Sequence, residues 1–247
     1  MTKTPSQEQV WDKIAENWKD NRTLPIIEAE EFLKDKKGKI LDLGCGSGRN
    51  VVKSLDSEKS DDSLTLSHKR CAQNKEFYGV DFSQEMVNIA EKEAKGKKVK
   101  AKFFKANAWE LPFEDNFFDS AIFIAALHCI PSKENREDSL KELRRVLKSG
   151  SRALITVWDR NQERFTNPKT ANTSAPAKFI SGNEAYLPWG TGDFPDRQEF
   201  LRYYYLYDKE EIVSLLEKYF KVIKIYSTKE SESRFSRRNL IIEIEKI

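Results

Sequence analysis

Three glycines, Gly44, Gly46 and Gly48, stand at alternate positions in "KILDLGCGSGRN" (residues 39–50), directly behind an apolar run. Glycine tolerates positive φ and lets another group approach the backbone, so such a turn either cradles a ligand or spaces a strand from a helix. Two further residues favour the ligand. Asp81 closes the apolar stretch "FYGVDFS", where an ionised carboxylate can accept from both hydroxyls of a ribose. Asn107 follows "VKAKFFK"; its amide donates and accepts, and the flat face of Trp109 suits a purine. A glycine turn, an acid and an amide behind three successive strands point to nucleoside recognition. In a dinucleotide fold the acid follows a G-x-G-x-x-G turn by about 20 residues. Here the turn is G-x-G-x-G, the gap is nearly twice as long, and no Lys-Ser/Thr pair follows, which weakens the nicotinamide and ATP readings.

These side chains meet only if parallel strands carry them to one edge of a sheet. Ile40 to Leu43 read as a short buried strand, and Val51, Val52 and Leu55 begin a helix beyond the turn. Val10, Trp11, Ile14, Ala15 and Trp18 recur at helical spacing ahead of it, and Ile27 to Leu33 form a second helix. A helix capped by Ser83 and stopped at Gly96 follows the second strand. "VKAKFFKAN" and "FDSAIFIAAL" are strands three and four, "SKENREDSLKELRRVLKSG" a helix ending at Gly150, and "RALITVW" the next strand. A helix around Lys209 to Tyr219, a strand around Val222 to Tyr226 and the strand "NLIIEIEKI" close the chain. This alternation predicts an α/β fold, a mostly parallel sheet with right-handed crossovers and helices on both faces. Residues 54–75 form a polar, serine-rich surface excursion, and residues 159–207, rich in Pro, Gly, Asn and aromatics, are too long for an ordinary connection.

The 247 residues read as one domain over 1–247: N-terminal helices over 1–37, a ligand-binding half over 38–158, an insertion over 159–207 and a C-terminal helix with strands over 208–247. A hydrophobic content of 38% can fill a core of that size. With 34% charged residues and a net charge of only +3, a polyanion must meet local basic patches. Arg144, Arg145 and Lys148, the cluster Arg234, Arg237 and Arg238, and the lysine-rich stretch from Lys92 to Lys102 are such patches, or else solvated faces. The polar opening "MTKTPSQEQ" has no apolar h-region and the run "AIFIAAL" is too short to span a bilayer, so a cytoplasmic protein is expected. Cys45, Cys71 and Cys129 form no CxxC pair, so neither a disulfide framework nor a metal site is expected.

The segments "ILDLGCGSGRN", "GVDFS", "ANAWELPF" and "ELRRVLKSG" resemble the seven-stranded, Rossmann-like S-adenosylmethionine-dependent methyltransferases over most of residues 38–158. The resemblance implies that Gly44, Gly46 and Gly48 approach the methionine portion of the cofactor and that Asp81 binds its ribose. Phe82, Asn107, Ala108, Trp109 and Ala125 are assigned to the same cofactor site; the family usually has Asp at the position of Asn107. Three more stretches, "VWDKIAENWKDNRTLP", "AALHCIPSKENR" and "LPWG" with "RYYYLYDKEEI", are similar to the tRNA wobble-uridine methyltransferases that esterify 5-carboxymethyluridine. Where that family more often has two histidines, this chain has His128 and Cys129.

That likeness implies an in-line displacement in which a carboxylate oxygen attacks the sulfonium methyl and the thioether leaves, with no general base, because a carboxylic acid is already ionised at neutral pH. Arg22, at the family's arginine position, is expected to reach the cofactor carboxylate or to be a solvated surface residue. His128 lies where strand four ends, as a substrate contact or a structural residue. Trp158, Arg160, Trp189, Arg202 and Tyr203 are candidates to line the acceptor pocket, with Arg202 holding the carboxylate in a two-point grip; "RYYYLY" reads equally as an aromatic core strand. The likeness further implies tRNA as substrate and a heterodimer with a small zinc-binding activator, which adds a strand at the edge near residues 99–105. Two other functions compete: a small-molecule methyltransferase acting on quinone precursors or other metabolites, and a non-catalytic cofactor-binding scaffold.

Overall fold

The computed structural model describes residues 5–52, 74–162, 165, 178–189, 200–228 and 239–247. Helix α1 (Gln7–Asn21) starts in a capping box, the Ser6 hydroxyl accepting from the Gln9 N–H while the Gln9 amide takes the Ser6 N–H. Its apolar stripe buries Val10, Trp11, Ile14 and Ala15. Then come α2 (Ile27–Lys34), β1 (Gly38–Leu43), β2 (Lys75–Asp81), α3 (Gln84–Gly96), β3 (Ala101–Lys105) and β4 (Phe118–Ile124). A single 3-10 turn (Leu127–Cys129) leads into α4 (Lys133–Val146) and β5 (Leu147–Trp158). The remaining elements are β6 (Lys178–Ser181), β7 (Glu184–Pro188), β8 (Leu201–Tyr205), α5 (Lys209–Leu216), β9 (Lys221–Ser227) and β10 (Asn239–Glu245).

Seven strands form one sheet in the order β3-β2-β1-β4-β5-β10-β9. The pairs from β3 through β5 are parallel, and β10 runs antiparallel to both neighbours. This is the mostly parallel seven-stranded sheet that the alternation of strands and helices predicts. Because side chains alternate across a strand, the central strands are apolar on both faces. Leu41, Leu43, Phe123 and Ile155 face one core with Leu140 and Leu143 of α4 and Ile212 of α5; Ile40, Ile122, Ile124 and Leu154 face the other with Leu33 of α2 and Ala90 of α3. Strand order reverses between β1 and β4, which opens the crevice beyond their carboxyl ends.

Two boundaries differ from the sequence reading. Helix α4 stops at Val146, not at Gly150, because Leu147 is pulled fully buried into the sheet. Gly150, at φ +75°, instead lies in a bulge: Phe118 pairs with Leu147 but Ser120 pairs with Arg152. Within 159–207 the chain builds a second, antiparallel sheet β6-β7-β8. Its strand β8 packs on α1 and on the 3-10 turn, and so backs elements that carry crevice-lining residues. Most of the 54–75 excursion, Cys71 and the Arg234, Arg237 and Arg238 cluster lie outside the described residues. No helix among the described residues is long and apolar enough to cross a membrane.

Candidate cofactor and acceptor site

A crevice enclosing about 960 Å³ of space open to solvent lies beyond the ends of β1, β2, β3 and β4, roofed by Gln7, Trp11 and Trp18 of α1. The three glycines of its floor do different work. Gly44 has φ +69°, and a Cβ there would collide with the Cβ of Ala126. Gly48 has φ +78°, and its Cβ would press at 3.2 Å on Ala90 of α3 and on Val52; it is a packing spacer and lies outside the crevice lining. At Gly46 the space is open, the nearest atoms being Met86 Sδ and Trp18 Nε1 at 3.9 Å.

Asp81 is fixed by the floor it faces. The Gly46 N–H donates to Oδ2 at 2.8 Å and the Ser83 N–H to Oδ1 at 3.0 Å, leaving lone pairs for a ligand hydroxyl. Burial lifts its pKa to about 6 against these bonds, so at neutral pH it is mostly ionised. Asp42 was not foreseen as a site residue. It is fully buried, neither oxygen has a hydrogen-bond partner among the described residues, and burial together with the Asp81 charge pushes its pKa up to about 7. Arg49, also missed, lines the crevice; burial and then neighbouring Arg22 lower it to about 10. Asp42 lies behind the turn and outside the crevice lining, whereas Asp81 and Arg49 face the crevice, a carboxylate and a guanidinium that suit a zwitterionic amino-acid group.

Phe82, Ala108, Trp109 and Ala125 line the crevice as placed by the sequence, while Asn107 is absent from the lining and its carbonyl accepts from the Glu110 N–H at 3.1 Å. Ala125 sits at φ +52°, strained for a residue with a Cβ, and is held there by its N–H bond to Thr156 Oγ1 at 2.9 Å. The flat Trp109, the spare capacity of Asp81 and the open floor at Gly46 fit adenine, ribose and methionine portions respectively, so the residues present accommodate S-adenosylmethionine.

Beside the roof lies an aromatic cage. Trp18 contacts Trp11 and Trp189 with ring centroids 4.9 Å apart in each pair, and Trp189 Nε1 donates to Asn17 Oδ1 at 2.8 Å. The guanidinium of Arg202 lies 4.7 Å from the Trp189 ring, 5.7 Å from Trp18 and 5.8 Å from Trp11. It donates to the Tyr204 hydroxyl and, at 3.4 Å, to the Pro188 carbonyl, while its buried Nε has no partner among the described residues. Arg22 lies against the same rings, 5.2 Å from Trp18 and 5.6 Å from Trp189; like Trp189 and Arg202 it stands behind Trp11 and Trp18, outside the crevice lining. Burial, and to a lesser degree the charge of Arg202, lower its pKa.

The other acceptor candidates are dispersed. His128 is fully buried against Trp158 and Tyr204, whose own rings stack at 4.2 Å, so this trio is packing behind the wall. Its neighbour Cys129 does line the crevice, and burial pushes that thiol up to about 12, which leaves it no nucleophile. Arg160 is exposed and anchored through its N–H to the Tyr207 carbonyl. Tyr203 points away from the crevice, its hydroxyl donating to Glu184 Oε1 at 2.7 Å. Of the basic patches, Arg145 is occupied by Glu142 and Asp115 and Lys148 by Asp119. No group of three or more metal-ligating side chains occurs among the described residues.

The sequence profile of a family described as "Methyltransferase domain" matches residues 34–218. A tRNA (carboxymethyluridine(34)-5-O)-methyltransferase of Arabidopsis thaliana is 33% identical over 70% of this chain and 37% of its own length. One of the same name from Schizosaccharomyces pombe is 25% identical over 85% of each chain. The chain spans only 37% and 22% of the first two curated relatives it matches. A solved SAM-dependent methyltransferase of Methanosarcina mazei superposes with a TM-score of 0.66 at 21% identity, covering 91% of this chain and 99% of its own, a likeness of fold.

Proposed function

The chain belongs to the methyltransferase domain family and uses S-adenosylmethionine, and from that premise we propose that its acceptor is a carboxylate on a tRNA wobble uridine, converted to the methyl ester. The observation that carries this reading is Arg202: a buried guanidinium in an aromatic cage beside the cofactor crevice, touching π faces, a phenol and a carbonyl, with no carboxylate partner among the described residues. A buried cation without an anion is costly, and an incoming carboxylate relieves that cost with charge-assisted bonds. When bound, the cofactor supplies a sulfonium methyl group as electrophile. Arg202 then holds one carboxylate oxygen while the cage of Trp11, Trp18 and Trp189 excludes water, and the other oxygen, already ionised, needs no base. The relatives named for carboxymethyluridine methylation support the choice of acceptor.

Methyl transfer from labelled cofactor into unfractionated tRNA, with a metabolite extract in parallel, tests it. Label in a base-labile ester of wobble uridine is expected; label confined to metabolites establishes the small-molecule reading, and label in neither the scaffold reading. The same reading includes a small zinc-binding activator that adds a strand to β3. In support, among the described residues β3 is an edge strand paired with β2 alone, with Phe103 on its buried face. Co-expression with that activator is expected to raise solubility and activity; equal values for the chain alone dispose of it.

A further inference from the structure

Arg136 is a buried cation that the cofactor and acceptor chemistry leave unexplained. Its Nη1 reaches the Ile130 carbonyl at 2.8 Å, the Pro131 carbonyl at 3.2 Å and the Tyr203 hydroxyl at 3.3 Å. Its guanidinium lies 4.0 Å from the Tyr205 ring. Ile130 and Pro131 line the cofactor crevice, whereas Tyr203 and Tyr205 belong to β8, the strand that carries Arg202. The Tyr203 hydroxyl passes the contact on to Glu184 of β7 at 2.7 Å, so the carboxylate facing Arg136 is one hydroxyl away. Buried carbonyls need donors, and the two at this rim take theirs from Arg136 in the first turn of α4, the same side chain that meets the neighbouring sheet.

We propose that Arg136 is a positioning residue: through Tyr203 it locks the 130–131 rim of the cofactor crevice to the β7–β8 sheet, so that cofactor wall and acceptor strand share one geometry. The link to the acceptor rests on the reading of Arg202 above; the lock itself does not. It turns Tyr203 from a substrate contact into the middle member of a relay. Because three hydrogen bonds converge on one guanidinium, removing the head group loosens both partners at once.

Calorimetric titration with S-adenosylhomocysteine tests the lock without any acceptor. Arg136→Met is expected to lower affinity about 10-fold and Tyr203→Phe about 3-fold, although that hydroxyl lies outside the crevice. The double variant is expected to bind no worse than Arg136→Met, and Arg136→Lys to recover part of the loss. Full affinity in Tyr203→Phe, or losses that simply multiply, overturns the proposal. Amide hydrogen exchange gives a second reading: Arg136→Met should speed exchange at 127–131 and at Leu201–Tyr205 together, and acceleration confined to α4 would count it as structural only. Should Arg136→Met not fold, Tyr203→Phe alone decides. Failure of tRNA methylation with these results intact refutes the acceptor, not the lock.

Discussion

The cofactor wall takes its residues from consecutive strand ends, Gly44 after β1, Asp81 at the end of β2, Ala106 after β3 and Ala125 after β4. The proposed acceptor side takes Trp11 and Trp18 from α1, Trp189 from beyond β7 and Arg202 from β8, more than half the chain away from one another at the extremes. Backbone geometry dominates the first region: positive φ at Gly44 and Gly46, two N–H groups on Asp81, a strained Ala125. Side chains dominate the second. A site made of backbone is stiff and serves one cofactor, while a site made of side chains on an added sheet can change its acceptor without disturbing the sheet that carries it.

Substitutions that separate the two regions put this contrast at risk. The largest effect is expected at Gly44→Ala, where the left-handed φ and the collision with Ala126 together cost about 2–5 kcal/mol of folding stability; a urea midpoint unchanged from the parent would show that β1 and β4 are not clamped there. Asp42→Asn comes next. The folded-state pKa of about 7 lies above the ordinary carboxyl value, so Asp42 carries no charge penalty at low pH, and its charge penalty grows as pH rises from the ordinary carboxyl range to about 7 and then levels off. The Asn variant should therefore gain about 2–4 kcal/mol over the parent at pH 8 and almost nothing at pH 4, measured by denaturant unfolding of the cofactor-free chain; equal gains at both pH values would remove the buried charge from the account.

Asp81→Ala and Arg202→Ala form the direct comparison. The first should weaken S-adenosylhomocysteine binding by about 1.5–3 kcal/mol through a lost charge-assisted bond, and the second should impair transfer to tRNA while leaving cofactor affinity unchanged. If cofactor affinity alone fell in Arg202→Ala, the cage would belong to the cofactor region. The smallest stability change is expected at Gly46→Ala, about 1–2 kcal/mol for its positive φ, because the added methyl meets only open space. That methyl would instead intrude on the cofactor, so calorimetry should register a loss larger than the melting curve does.

Much of the cofactor region was legible before any coordinates, since the strands alternate with helices and each motif residue sits within a few positions of a strand end. Gly48 and Asn107 show the limit: spacing identifies a turn but not which of its residues faces inward. Asp42 and Arg49 carried a signal within the same motif, an acid and an arginine flanking the glycines, that only burial made visible. In α1 the apolar stripe announced a buried helix but not that Trp11 and Trp18 roof a crevice. The "RYYYLY" strand was ambiguous because its residues serve both core and cage: Tyr203 and Tyr204 are buried, and Arg202 lies among the tryptophans.

By itself the sequence determined the parallel sheet, the ligand turn and the acid that faces it, because hydrophobic period and glycine placement act over a few residues. The tertiary structure alone decided that α1 and the 130–131 rim line one space, that the Tyr203 hydroxyl meets Arg136, and that Arg202 Nε is without a partner among the described residues. Those facts depend on the packing of segments distant in the chain, for which local periodicity carries no information.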